Sequence, residues 1–172
     1  SAKFTIPAST PISIQPLDAD GQALQLMRSW MTAMPGETLQ CAGCHERQNT
    51  APANTRTTAL DAAPDEIAPW YGPVRGFAYR HEVQPVLDRH CVSCHRPGGD
   101  DVEAAKVDLT TTNAWNALMT FGGEDLKKRA FERDRSMPGD GTAAHSKLWQ
   151  LLTQPGGHHN VSLDADALNR FA

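Results

Sequence analysis

Apolar and polar positions alternate along Ile12-Ser13-Ile14-Gln15, the two-residue period of a half-buried strand. Asp18-Ala19-Asp20-Gly21 then supplies turn residues, and Ala23-Leu24-Gln25-Leu26-Met27 follows. Together these segments predict a small N-terminal β-hairpin or a pair of short strands. Residues 1–16 are otherwise rich in Pro, Ser and Thr and read as extended, and Pro35-Gly36 interrupts the chain again. From Gln48 to Pro73 the sequence is mostly Ala, Thr, Pro and Asn with little periodicity, which predicts a long irregular connection. Regular structure is expected to resume near Arg80.

The second half carries the helical period. Val83, Val86, Leu87 and Cys91 fall on one face of a helix from Glu82 to His95. Further helices are predicted at about 113–121, with Trp115, Leu118 and Met119, and at about 124–134. Two more are expected at about 144–153, with Leu148, Leu151 and Leu152, and at about 163–171. Ser162 is the expected N-cap of the last, with Asp164 and Asp166 near its first turn, where negative charge suits the helix dipole. The chain therefore reads as mainly α, with long irregular loops and a small N-terminal hairpin.

Its 172 residues fit one domain or two small lobes packed together. Hydrophobic residues make up 40% and aromatic residues only 6%, with 12 Pro and 13 Gly. Such a lean core is expected to need a filler other than side chains. The net charge of -4 is spread through interspersed acids and bases, with no Lys/Arg cluster to grip nucleic acid and no basic amphipathic stretch for a membrane surface. No apolar run approaches the ~18 residues needed to span a bilayer.

All 4 cysteines fall in two complete Cys-x-x-Cys-His motifs, Cys41-Ala42-Gly43-Cys44-His45 and Cys91-Val92-Ser93-Cys94-His95. This is the attachment pattern of haem c: two thiols add across the porphyrin vinyl groups, and the adjacent His swings beneath the iron. A zinc site from two Cys-x-x-Cys knuckles is the competing reading. Zinc ribbons place the pairs ~15–20 residues apart, whereas 46 residues separate Cys44 from Cys91. Zinc also does not need a His after both pairs; with 7 His in the chain, chance would place both in roughly one case in several hundred. A thioredoxin-like redox pair would need one motif in a βαβ context, which the pattern lacks. The expectation is two covalently bound haem c groups, held by Cys41, Cys44 and His45 and by Cys91, Cys94 and His95. Two haems would also provide the missing apolar volume. Haem c attachment requires export to an oxidising compartment; Ser1-Ala2-Lys3 is not an export signal, so a processed chain or an excised domain is expected.

The sixth ligands come from a longer list. Beyond the motifs stand His81, His90, His145, His158 and His159, and the methionines Met27, Met31, Met34, Met119 and Met137. His158 and His159 sit in Gly156-Gly157-His158-His159-Asn160-Val161, a turn between two predicted helices about 60 residues after the second motif. Ligation of the second haem by His95 and His158 is the leading assignment, against a pair of solvated loop histidines. For the first haem, His81 begins the helix entering the second motif and is the favoured ligand. Met137, whose Met137-Pro138 step is similar to the Met-Pro dipeptide of single-haem cytochromes c, stays open, as do Met34, His145 and an empty sixth position. His90, next to Cys91, reads as structural.

Several segments resemble one family. Asp18-Ala19-Asp20-Gly21, Met27-Arg28-Ser29, Pro35-Gly36-Glu37 and Cys41 to Glu46 look like the haem region of hydrazine synthase alpha-subunit-like proteins. Glu82 to His95 is similar to their second haem segment, as are Ser146-Lys147-Leu148 and Gly157 to Leu163, so the likeness runs from about Ile12 to the end. The Gln-Pro-x-Leu-Asp-x-x-Cys-x-x-Cys-His pattern also occurs in other bacterial cytochromes. The resemblance implies that His158 is the distal ligand of the second haem. It does not carry over hydrazine formation, because a Tyr just after the first motif ligates that family's catalytic haem and Glu46 to Thr50 contains no Tyr. Relatives tend to continue past the position of Phe171, so a domain of a longer protein is expected.

The expected protein is a single dihaem module over 1–172 with cytochrome c-like helical haem-binding lobes, one at about 1–75 with the first haem and one at about 76–172 with the second. Its expected role is electron transfer outside the cytoplasm, with a redox partner protein or an adjacent domain of a longer chain. The rival expectation is an enzyme whose first haem keeps an open or displaceable sixth position for a small molecule such as peroxide or a nitrogen oxide, with Glu46, His81 or Arg80 as distal polar groups. A haem-based sensor would need a further partner domain.

Overall fold

Regular structure in this protein is helical, and pairing between extended segments is confined, among the described residues, to isolated bridges. The computed structural model describes residues 1–19, 21, 23–24, 27, 29–42, 49–50, 56–69, 73, 75–131 and 143–172. The chain divides into two compact units, one comprising Ser1–Ile14 and Met27–Arg75, the other Gln15–Leu26 and Gly76–Ala172.

In the first unit, Ile12 and Met31 exchange both backbone hydrogen bonds at 3.0 Å, and the Ser9 amide donates to Ala33 O at 2.7 Å. The side chains along 11–15 alternate between exposed and half-buried, as the period-two pattern predicts. Of the expected hairpin, only single bridges are seen among the described residues: Leu17 bridges Ala23, and the Leu24 amide donates to Pro16 O at 2.9 Å. Gln25 and Leu26 lie outside the described residues, and Ile12 pairs with Met31. Pro11 and Pro16 bracket the segment and remove ladder donors on either side. Phe4 bridges Asp65, and the Lys3 ammonium donates to Ala62 O at 2.8 Å, just past the 3-10 turn Thr58–Asp61. In the second unit the predicted turn is present: the Gly21 amide donates to Asp18 O at 3.1 Å, with Gly21 at φ 81°, and Leu17 bridges Ala23.

Among the described residues, five α-helices build the rest of the second unit: α1 (Tyr79–Glu82), α2 (Gln84–His90), α3 (Ala114–Phe131), α4 (Lys147–Thr153) and α5 (Ala165–Leu168). The helix expected from Glu82 to His95 is two pieces, with Pro85 in the first turn of α2, where its missing N–H costs nothing. The two helices expected at about 113–121 and 124–134 are the halves of α3, which breaks at Phe121–Glu124. Gly122, Gly123 and Glu124 have positive φ there. The carbonyls freed by the break are taken by lysines, Gly122 O by Lys147 and Gly123 O by Lys128. The last helix is shorter than expected and is capped by Asp164, not Ser162; the Asp164 carboxylate accepts from the Ala167 amide at 2.8 Å. No described helix is long and apolar enough to cross a membrane.

The buried apolar cluster is small: Val83, Leu87, Leu109, Ala114 and Leu118, with Tyr79, Cys91, Val92, Ala117, Leu148 and Phe171 packed around it. Tyr79 meets the edge of Trp115 at 5.2 Å and 84°. Its buried hydroxyl finds no hydrogen-bond partner among the described residues. Burial, with a smaller contribution from the Asp88 charge, pushes the Tyr79 phenol up to about 12. A folded-state value above the unfolded 10.0 means that the stability contribution is whole below pH 10 and disappears as pH rises through about 12. Of the 2 tyrosines, Tyr79 is therefore expected to give the late phase of a phenolate absorbance titration. Tyr79→Phe is expected to abolish that phase while leaving stability at neutral pH unchanged or higher by up to ~1 kcal/mol, because no hydrogen bond is lost. A loss of 2 kcal/mol or more in chemical denaturation would show that the hydroxyl is satisfied after all.

Candidate functional site

α2 does not stop cleanly at His90; helical bonding runs one more turn through the second motif. The amides of Cys91 and Val92 donate to Leu87 O, and those of Cys94 and His95 donate to Cys91 O at 3.1 and 2.9 Å. This turn brings Cys91, Cys94 and His95 to one end of α2. Cys91 is half-buried against the apolar cluster, and Cys94 is exposed. Neither is in a disulfide. Burial, and secondarily the neighbouring Cys94, push the Cys91 thiol up.

His95 is held at two points. Its backbone oxygen accepts from the Leu109 amide at 3.0 Å, and its ring Nδ1 lies 3.0 Å from Ala104 O. A carbonyl at Nδ1 selects the tautomer with the proton there and leaves Nε2 as the free electron-pair donor. This partner is a residue that the sequence reading misses, since no side chain marks it.

His158 reaches the same place from the far end of the chain. Its amide donates to Val161 O at 3.1 Å and the Val161 amide returns a bond to His158 O at 2.9 Å. The two residues between them, His159 at φ 49° and Asn160 at φ 66°, take the paired left-handed conformations of a type I′ turn. Gly157, at φ 72°, has its own role: a Cβ there would lie 2.2 Å from Val161 O, so only glycine lets the turn close. The His158 and His95 rings stand 5.9 Å apart between centres, with planes 24° from parallel. His158 is half-buried while His159 is exposed and meets His158 edge-on at 4.5 Å. Burial first, then the charges of His159 and His95, push the His158 imidazole pKa down and favour its neutral, ligating form.

The fit of this pair to a haem iron can be tested on distance. Two imidazoles on opposite sides of one metal, each bonded at about 2 Å, hold their ring centres about 6 Å apart. The separation of 5.9 Å and the Nδ1 contact of His95 agree with that arrangement, and Cys91 and Cys94 lie on the same turn of chain as His95. Among the described residues no group of three or more His, Cys, Asp and Glu is arranged to hold a bare metal ion.

The first motif is less completely described. Cys41 is exposed and its Sγ lies 3.8 Å from Met31 Sδ, while Cys44 and His45 lie outside the described residues, as does Met137. His81 is an exposed residue of α1, in the second unit, whereas Cys41 belongs to the first. His90 is half-buried at the end of α2, His145 and Met34 are exposed, and Met27 Sδ accepts from the Ile14 amide at 3.2 Å. Proximity of Met31 to Cys41 is a further feature that spacing alone does not reveal.

No curated protein and no solved structure matches the chain. One family model does, over about a quarter of its length. The sequence likeness was expected to extend to the C-terminus; the match covers the N-terminal part, through the first Cys-x-x-Cys-His motif. Residues 1–46 are similar to the hydrazine synthase alpha subunit middle domain.

Proposed function

We propose that this chain is an exported dihaem c-type cytochrome domain that transfers electrons, acting in the periplasm or outside the cell. The observation that carries the reading is the pairing of His95, on the same turn of chain as Cys91 and Cys94, with His158 at 5.9 Å. Cys91 and Cys94 would hold the porphyrin covalently, each by addition of its S–H across one vinyl group. His95, with Nδ1 tied to Ala104 O and Nε2 free, and His158 would be the residues that hold the iron. Bound haem supplies a one-electron couple, whose potential follows axial ligands, burial and hydrogen bonding. With His95 and His158 both holding the group, these two imidazoles would keep water and small ligands out of the second site. Cys41, Cys44 and His45 would hold the first haem through the same residue types, with His81 the sixth ligand favoured from the sequence and Met137, Met34, His145 or an empty position the alternatives. The electrons pass to a redox partner protein or an adjacent domain.

A second reading draws on the match of residues 1–46 to part of an enzyme subunit. In it the first haem keeps an open or displaceable sixth position and acts on a small molecule such as peroxide or a nitrogen oxide. A high-spin ferric signal in the optical or paramagnetic resonance spectrum of the intact protein favours this second reading; two low-spin haems favour transfer alone.

The mass of the denatured protein tests the cofactor directly. Two haem additions to the polypeptide are expected, and replacing Cys91 and Cys94 together should remove one. A bare polypeptide mass, or zinc in the native protein, would end the cytochrome reading.

A further inference from the structure

We propose that Asp101 is a positioning residue for the second haem, setting the orientation and donor strength of His95 through the Ala104 peptide. The inference rests on the haem reading of the His95–His158 pair. It starts from the six residues after His95. Gly98, at φ 72°, turns the chain, and Gly99 packs so closely that a Cβ would lie 3.0 Å from Cys94 O. This tight return places Asp101 at the head of the short 3-10 turn Ala104–Lys106.

Asp101 then holds the peptides on both sides of Ala104. Its carboxylate Oδ1 accepts from the amides of Glu103 at 2.9 Å and Ala104 at 3.0 Å. Its backbone oxygen accepts from the Ala105 amide at 2.9 Å. The Ala104–Ala105 peptide is the one whose carbonyl faces His95 Nδ1 at 3.0 Å, and that oxygen also takes the Val107 amide at 3.0 Å. A hydrogen-bonded chain therefore runs from the Asp101 backbone oxygen through the Ala104–Ala105 peptide to the ring of the ligand, and the Asp101 carboxylate holds the turn in which that chain forms. Bonds in such a chain polarise one another, so a bonded Ala105 amide makes Ala104 O a better acceptor and His95 a stronger donor to the metal. The Asp101 carboxyl is held below the usual carboxylate range by the Ala104 amide first and the Glu103 amide next, with His159 and His95 adding smaller contributions. The side chain is thus an acceptor under all but acidic conditions.

Three variants separate positioning from charge. Asp101→Ala removes the two side-chain bonds and the charge; Asp101→Asn keeps an Oδ1 acceptor and removes the charge; Asp100→Asn removes the same charge one residue away. The second haem's resonance signal is identified as the one lost in His158→Ala. Asp101→Ala is expected to raise the potential of that haem and change its low-spin signal. Asp101→Asn is expected to keep the wild-type signal and shift the potential no more than Asp100→Asn does. If Asp101→Ala and Asp101→Asn behave alike in both readouts, the carboxylate acts only as a charge and the proposal is overturned. Covalent haem mass, measured on every variant, separates this result from a failure of the haem reading itself: wild-type protein without haem sinks that reading and this one with it. Faster amide exchange at Glu103 and Ala104 in Asp101→Ala, absent in Asp101→Asn, is the accompanying structural signature.

Discussion

His158→Ala is expected to convert the second haem from low-spin to high-spin and to change its potential, while both haems stay covalently bound. On the proposed haem reading, thioethers to Cys91 and Cys94 would not depend on His158, so the cofactor would remain when that imidazole is removed. His95 would then be the protein ligand left to the iron, with solvent as the weak-field alternative. His159→Ala is expected to do much less. The two histidines are sequence neighbours, but the turn gives them opposite fates: His158 is half-buried and faces His95, while His159 is exposed, with its ring 84° from that of His158. Optical and paramagnetic resonance spectra of the two variants decide the matter. Loss of the low-spin signal in His159→Ala but not in His158→Ala would assign the ligand to the other member of the pair.

Arg170→Ala is expected to lower the stability of the second unit by about 3 kcal/mol. Glu82, on α1, is 3% exposed, and the Arg170 guanidinium following α5 pairs with its carboxylate. Removing the cation takes away the charged partner of a carboxylate that has already lost its water, which is where ion-pair losses are large. Arg170 also reaches Asp166 at 3.2 Å, but the Asp166 side chain is 57% exposed. Asp166→Ala should therefore cost no more than about 1 kcal/mol. Replacing both partners, Glu82→Met with Arg170→Leu, is expected to recover most of the loss, because neither member of the pair is then left without its counter-charge. Denaturation of the holoprotein measures all three. An Arg170→Ala loss no larger than that of Asp166→Ala would mean that Glu82 is solvated or otherwise compensated.

Much of the architecture was legible from local pattern. The helical order of the second half, the interruption near Gly122 and Gly123, and the turn at Asp18–Gly21 all appear where periodicity and turn residues put them. Each depends on neighbours within four residues, so the information lies in the local sequence. Where the reading departs from the structure, a competing local or long-range choice explains it. Asp164 caps α5 instead of Ser162 because a carboxylate three residues ahead of Ala167 reaches its amide directly. Ile12 pairs with the more distant Met31, a partner that local pattern does not mark, while Leu17 bridges Ala23 across the predicted turn.

The same division runs through the candidate site. By itself the sequence determined the spacing of Cys91, Cys94 and His95, since bonding from the Cys94 and His95 amides to Cys91 O is a matter of one helical turn. It also singled out the glycine-flanked pair His158 and His159. The sequence already favoured His158 of that pair, but only the tertiary structure brings its ring to 5.9 Å from that of His95, because residues so far apart in the chain are brought together by loop closure and packing, not by periodicity. Only the tertiary structure, too, placed Ala104 O at His95 Nδ1 and Asp101 behind it. A backbone carbonyl has no letter in the sequence, and its direction is set by the hydrogen bonds that the folded chain makes around it.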